Sequence, residues 1–435
     1  MTIDSLLDSY EIFAMSDFEK GERFERLMRN FLLTYPVWRG IIAEVWRWKD
    51  FPFKNELGGR DLGIDLVIKT VDGDFWAAQC KFYSESTPIN KSAVDSFISN
   101  SARTFDGDKK FSRRFWISTT DNFTDNAREM LKNQSPAVEM INLAMLRRAQ
   151  VNWTLLDNNF NKDAAIIFRK LRDYQLNAVK NAREYFRTND RGKLIMACGT
   201  GKTFTALKIA ETIAPDGKIL FLVPSISLLS QTLEEWATFA EKPINAVCIC
   251  SDATTTKNFD DEIVDVNLPL PAMTDDKKIA AALKKFNSFV IFSTYQSIDV
   301  VSKLNLDFDL IICDEAHRTA TTLKKETVFT KIHSNSNVRG KKRIYMTATP
   351  KLYKTDLKES LTDEKNATDW SMDNEAVFGE EFFRISFAEA AAQGYLTEYK
   401  VFVFTVNETF LNARLKKSID DKNDALTVDD TLKII

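Results

Sequence analysis

The stretch Met196-Ala-Cys-Gly-Thr-Gly-Lys-Thr203 restricts this chain more than any other. An apolar run, Lys193 to Cys198, leads into it, and a helical pattern, Thr203 to Ala214, leads out. A strand, a glycine-containing loop and a helix start, in that order, make a phosphate cradle. Loop N–H groups and the positive end of the helix converge there on the phosphates of a nucleotide. Gly199, Thr200 and Gly201 supply the loop, Lys202 a point charge, and the Thr203 hydroxyl a Mg²⁺ ligand. The strict pattern has one more glycine, where this chain has Met196.

A second segment, Phe308-Asp-Leu-Ile-Ile-Cys-Asp-Glu-Ala-His317, reads as a buried strand ending in two acids. Asp314 is placed to hold Mg²⁺ through water, and Glu315 to orient and deprotonate an attacking water. Together with Tyr345-Met-Thr-Ala-Thr-Pro350, these segments resemble motifs I, II and III of superfamily 2 helicases and translocases, whose first motif tolerates a residue such as Met196. The resemblance extends to Leu171-Arg-Asp-Tyr-Gln175, similar to the adenine-reading Q motif, which makes Arg172 and Gln175 nucleotide-side residues. Phe221-Leu-Val-Pro-Ser225 through Gln231 resembles motif Ia, and Ser293-Thr-Tyr-Gln296 resembles motif Ib. The family's nucleic-acid track then implies contacts from Ser225, Gln231 and Thr294. His317, Thr347 and Thr349 would couple hydrolysis to movement. Apolar runs alternate with helical stretches at Ile219–Val223, Ala246–Cys250, Phe289–Ser293, Leu310–Cys313 and Arg343–Thr347. That order predicts a doubly wound parallel sheet with the nucleotide at the carboxyl ends of the strands.

The first 150 residues carry a different pattern. Ser16-Asp-Phe-Glu19 has capping-box spacing and opens a helix through Phe18, Phe24, Leu27, Met28, Phe31 and Leu32. Ile64–Thr70 and Phe75–Tyr83 read as a hairpin around Asp72-Gly73. Gln79 and Lys81, two apart on a strand, share a face. Asp65 joins them only if the turn has three residues, Val71-Asp72-Gly73 with Gly73 left-handed; a two-residue turn would pair Asp65 with Cys80 instead. Phosphodiester hydrolysis needs oxygen ligands for Mg²⁺ and a cation beside the attacking water. By spacing alone, such a trio is more often a polar surface than a site. Phe24-Glu25-Arg26, Gly63-Ile-Asp65, Gln79-Cys-Lys81-Phe-Tyr83 and Phe115-Trp-Ile-Ser-Thr-Thr120 together resemble the Mrr branch of the PD-(D/E)xK nucleases. That resemblance implies Asp65 and Gln79 as metal-side residues, Lys81 as the catalytic lysine and Glu25 as a supporting acid. Gln79, a neutral ligand, implies weaker Mg²⁺ binding than a second carboxylate.

The 435 residues thus divide, in expectation, into a nuclease-like domain (1–150), a coupler (151–170) and a first RecA-like lobe (171–395). A start of a second lobe (396–435) follows, with a strand at Val401–Val406. The acid- and threonine-rich Ser251–Lys285 reads as a surface connection plus one helix. Trp153, Leu155, Leu156, Phe160, Ile166, Ile167 and Phe168 are positioned to pack the coupler against both neighbours. The family places a transition-state arginine on the second lobe, and such arginines contribute about 10³–10⁵ in rate. Weak ATP binding and poor hydrolysis are therefore expected of a fragment ending at Ile435.

A formal charge of −3 removes a global positive field as the reason for any DNA binding. Local clusters, Lys109, Lys110, Arg113 and Arg114 or Arg339, Lys341, Lys342 and Arg343, read as DNA contacts or as solvated faces. Five cysteines, mostly in apolar runs, and an acidic amino terminus fit reduced thiols and no signal peptide. No apolar run is long enough to span a membrane. Nuclease fused to motor resembles the type ISP restriction–modification enzymes. That implies a bacterial, cytoplasmic enzyme using ATP and Mg²⁺ on double-stranded DNA, with a methyltransferase and a target-recognition domain downstream. The alternatives are a type I restriction motor subunit, which has Glu where Gln79 stands, and a remodeller whose first domain binds nucleic acid without cutting.

Overall fold

The computed structural model describes residues 1–59, 63–84, 86–131, 134–158, 160–250, 270–321, 327–353 and 370–397. Met1–Ala390 form one compact unit, and the chain from Ala391 forms another. The expected second-lobe strand Val401–Val406 lies outside the described residues, as does most of Ser251–Lys285.

Helix α1 (Ile3–Phe13) precedes α2 (Asp17–Thr34), which starts as its capping residues dictate. Ser16 Oγ accepts the Glu19 N–H at 3.2 Å, and the Glu19 carboxylate accepts the Met15 N–H at 2.8 Å. Phe24, Leu27, Met28, Phe31 and Leu32 are buried along one stripe, while Phe18, in the first turn, is exposed. A five-stranded sheet follows in the order β1 (Ile42–Arg47), β2 (Leu66–Thr70), β3 (Phe75–Lys81), β4 (Phe111–Ser118) and β5 (Val138–Ile141). The first three strands run antiparallel and the last three parallel. Helices α3 (Lys91–Ser101) and α4 (Asp125–Leu131) cover one face over Val67, Phe75, Ala77 and Trp116. Helix α2 covers the other, where Trp38 packs on Phe31 and Phe115, and Phe115 on Trp76.

The hairpin turn has the longer form. Lys69 pairs with Phe75, and Thr70 N–H reaches Asp74 O at 2.9 Å. Val71, Asp72 and Gly73 make the turn, with Gly73 at φ +90°. The ladder runs to Leu66 opposite Ala78, and the Asp65 N–H bonds Ala78 O at 2.9 Å, so Asp65 does not pair with Cys80 through its backbone.

Helices α5 (Leu143–Arg148) and α6 (Trp153–Asp157) lead to the motor. Trp153 stacks on Phe31 with ring centroids 5.5 Å apart. Ile167 and Phe168 are exposed, against expectation. The coupler meets the motor through Arg169 instead, whose guanidinium lies 4.9 Å from the Phe204 ring and 5.8 Å from that of Phe239.

The motor alternates as predicted: α7 (Asp173–Tyr185), β6 (Arg191–Met196), α8 (Lys202–Ile213), β7 (Lys218–Val223), α9 (Ile226–Phe239), β8 (Ala246–Ile249) and β9 (Ala272–Met273). Then come α10 (Asp276–Leu283), β10 (Phe289–Thr294), α11 (Ile298–Lys303), β11 (Asp307–Phe308), β12 (Leu310–Cys313), β13 (Arg339–Gly340), β14 (Arg343–Thr347) and β15 (Glu380–Ile385). Eight strands form one sheet, ordered β15-β6-β14-β12-β7-β10-β8-β9, and every ladder in it is parallel. Their carboxyl ends therefore share one edge. Strand β15 forms one edge of this sheet, paired with β6.

Gly379 feeds β15 at φ +72°, and a Cβ there would stand 2.2 Å from Arg191 O. Gly379→Ala should cost roughly 3 kcal/mol from strain plus overlap. Gly21, mid-helix with open space around it, should give about 0.5–1 kcal/mol of stabilisation as Gly21→Ala. Urea denaturation of both variants measures the pair; equal effects at the two glycines would contradict the packing at the sheet edge.

Candidate active sites

The carboxyl edge of the motor sheet collects the phosphate-cradle residues. Gly199 and Gly201 adopt φ +80° and +76°, and Gly201 is the left-handed cap from which α8 starts. Thr200 closes the loop on itself, Oγ1 to Ala197 O at 2.6 Å. The loop is also held from outside. Tyr174 Oη donates to Thr200 O at 2.7 Å and Gln175 Nε2 to the same oxygen at 3.1 Å. Gln175 Oε1 accepts the Arg172 N–H at 3.0 Å, so both ends of this fully buried amide are engaged by protein. In this geometry Gln175 braces the loop; a contact with a base would require these bonds to be exchanged.

Asp314 is buried at the end of β12, beside β14 and β7. Tyr295 Oη donates to its carbonyl at 2.8 Å, and its N–H bonds Leu222 O at 2.9 Å. Burial and the neighbouring Glu315 push its carboxyl up to about 6, while the Lys202 ammonium pulls the other way. Lys202 and Asp314 thus face one site. Glu315 sits at φ +46°, a left-handed conformation for a non-glycine residue. His317 Nδ1 lies 3.2 Å from the Glu315 carboxylate and 2.9 Å from Thr347 Oγ1. Thr347 in turn bonds the Thr349 N–H and carbonyl, both at 3.3 Å. Motifs II and III are therefore joined by one hydrogen-bonded relay. Thr203 contributes its carbonyl to Trp236 Nε1 at 3.1 Å.

On the nuclease sheet, Gln79 Nε2 donates to the Asp65 carboxylate, which also accepts the Cys80 N–H at 2.7 Å. Gln79 is 1% exposed, and its Oε1 is buried without a hydrogen-bond partner. The oxygen faces Gly63, where a Cβ would come within 3.2 Å of it and 3.0 Å of Ser96 Oγ. An unpartnered amide oxygen is a costly group to bury. Beside a carboxylate it has the chemistry of a hard-cation ligand, so the pair fits a divalent ion. Lys81 follows on the same face, half-buried at the strand end. Glu25 lies on α2, which covers the other face of the sheet; the buried Cys80 thiol, pushed up first by desolvation, is raised further by both Asp65 and Glu25. Glu22 is paired with Lys49 at 2.9 Å. Among the described residues, no three acids, histidines or cysteines gather as a metal cage.

Of the nucleic-acid-track residues, Ser225 and Thr294 follow or end the paired strands β7 and β10, where Thr294 lies opposite Val223. Ser225 caps α9 through Leu228 N at 3.3 Å, and Thr294 is buried with its hydroxyl 3.3 Å from Ser297 Oγ. Gln231 is exposed beside a hollow shared with the nuclease unit. Both basic clusters are partly neutralised by acids: Lys109 by Asp106, Arg113 by Glu139, Arg339 by Asp307 and Lys341 by Asp309. Arg114 and Arg343 are buried. Tyr174, Tyr295 and Trp236 brace the site through contacts that no local spacing announces.

The folded pKa of Asp314 is raised, so the native state binds the extra proton between about pH 4 and 6 and loses stability as pH rises through that window. Asp314→Asn should therefore raise the melting temperature at pH 8 and leave it nearly unchanged at pH 4. Thermal melts at the two pH values test this; an equal shift at both would place the gain elsewhere.

Comparison with known proteins matches the two halves of the chain separately. Residues 33–162 match the family described as restriction endonuclease, and residues 168–352 the family of type III restriction enzyme res subunits. A probable helicase of African swine fever virus is 32% identical over 228 residues, 52% of this chain and 23% of its own length. The solved ATP-dependent type ISP restriction–modification enzyme LlaBIII, bound to DNA, is 34% identical over 97% of this chain and 28% of its own, with a TM-score of 0.72. A nuclease-deletion mutant of the type ISP enzyme LlaGI, in complex with a DNA substrate mimic, is 36% identical over 58% of this chain and 22% of its own, with a TM-score of 0.42. The chain thus spans about a quarter of the length of these relatives. Among the described residues no helix is long and apolar enough to cross a membrane. The chain carries a restriction endonuclease domain followed by a RecA-like lobe of the type III res-subunit family, and over nearly all of its length it is similar to part of a solved type ISP restriction–modification enzyme.

Proposed function

We propose that this chain cuts DNA with Mg²⁺ in its first domain, while its RecA-like lobe binds and hydrolyses ATP to move on double-stranded DNA. One observation carries the nuclease half: a buried Gln79 Oε1 without a partner, next to the Asp65 carboxylate. Asp65 and Gln79 would hold the cation, and Lys81 would place its ammonium by the attacked phosphate. A bound Mg²⁺ would polarise the phosphate and lower the pKa of an attacking water. Glu25, on the first long helix, would serve as a supporting acid.

In the motor, Gly199, Thr200 and Gly201 would receive the phosphates, with Lys202 neutralising charge. Thr203 and Asp314 would hold the nucleotide's Mg²⁺. Glu315 would orient the attacking water, and His317, Thr347 and Thr349 would pass the change onward. A second RecA-like lobe, a methyltransferase and a target-recognition domain are the partners this reading calls for, since LlaBIII is a restriction–modification enzyme bound to DNA.

A second reading, a first domain that binds DNA without cutting, draws on the lack of a three-acid cluster among the described residues. Plasmid nicking with Mg²⁺ separates the two. Asp65→Ala and Lys81→Ala should each lower nicking by about 10²-fold or more relative to the unsubstituted chain, as loss of a ligand or charge at a reacting centre does. Equal background in all three proteins would select the binding module.

A further inference from the structure

The junction between the nuclease domain and the motor is hollow and lined by several charged side chains. A cavity of about 320 Å³ opens between Tyr35, Arg148 and Gln150 on one side and Gln231, Glu234, Glu235 and Thr238 of α9 on the other, with Arg169 at its rim. Tyr35 is the residue that ends α2, its N–H bonded to Phe31 O at 2.7 Å. Its hydroxyl is buried without a hydrogen-bond partner, and Glu234 lines the same hollow. Glu234 is otherwise held only by Ser230 Oγ at 3.3 Å and by the charge of Arg148. Its neighbour Glu235 takes Arg169 at 3.4 Å.

Arg169 also reaches the other way. Its guanidinium lies over Phe204, the residue after Thr203, and one of its nitrogens stands 3.4 Å from where a Cβ of Gly201 would be. Trp236, on the same turn of α9, is tied to Thr203 O. So α9 touches the nucleotide loop through Trp236 and Arg169, and the nuclease through Glu234 and the packing of Pro36–Trp38. Other links across the junction are peripheral: an exposed Lys285–Asp72 ion pair at 2.7 Å, and Gly40 against Pro243.

We infer that Arg169 and Glu234 are positioning residues that transmit the state of the nucleotide loop to the end of α2, the helix that carries Glu25. A shift of the loop on nucleotide binding displaces Phe204 and Arg169, Arg169 pulls Glu235, and the same turn of α9 moves Glu234 against Tyr35. The hollow gives that turn space to move in. Interiors packed without voids move as blocks, whereas a polar hollow allows two arrangements of the same groups. This inference rests on the proposed nucleotide site.

The test uses the 435-residue chain. Equilibrium binding of a fluorescent ATP analogue with Mg²⁺ is measured alongside amide hydrogen exchange of residues 35–39, with and without Mg²⁺ and a non-hydrolysable ATP analogue. In the unsubstituted chain, nucleotide should change exchange in that segment by about tenfold, the scale of an ordinary coupling energy. Arg169→Ala and Glu234→Gln should still bind nucleotide yet lose that response. Glu234→Gln keeps side-chain volume and decides the matter if Arg169→Ala fails to fold. Binding without any response in the unsubstituted chain, or the same response in both variants, overturns the link while leaving the nucleotide site intact. Absence of nucleotide binding in the unsubstituted chain overturns the site and the link together.

Discussion

The parallel ladder from β6 through β14 to β12 is the constraint on which the motor depends. Ile344 pairs with Gly192 and Ile312 with Ile344, so three strands end within one layer of the sheet. The loop after β6, the acids after β12 and the threonines after β14 are brought to one edge by the backbone ladders. A slip of one residue would reverse the face of every side chain on the slipped strand, and the buried runs on both faces forbid it. The relay from Glu315 through His317 to Thr347 follows from that alignment rather than from any affinity between the side chains themselves.

The nuclease sheet works by the same logic with a different device. Its hairpin depends on Gly73, whose positive φ lengthens the turn to three residues and so brings Asp65 alongside Gln79. Turn chemistry at one end of a strand thus determines which groups meet at the other end. The amide oxygen of Gln79 is left without a partner because the residue facing it is Gly63, which offers no side chain.

Much of this was legible in the sequence, for identifiable reasons. Strand ends in a parallel sheet are marked by apolar runs stopping at polar residues, so Met196–Thr203 and Phe308–His317 announced themselves, and the hairpin register followed from its turn. What escaped was long-range. Tyr174 and Gln175 reach Thr200 across 26 and 25 residues of chain, a brace that leaves no local mark. The acids paired with the basic clusters, Asp307 with Arg339 and Glu139 with Arg113, lie on other strands and so were equally invisible in the sequence. Strands β1 and β15 were missed because neither alternates cleanly; both ladders carry a bulge or irregularity.

Glu315 shows what such a design demands of its backbone. Its φ of +46° is forced where β12 turns sharply into the segment carrying His317, and holding a side-chain-bearing residue there costs on the order of 1 kcal/mol. Glycine would relieve that strain and abolish the carboxylate at once. Selection for a sturdier protein and selection for a working one therefore pull in opposite directions at this single position.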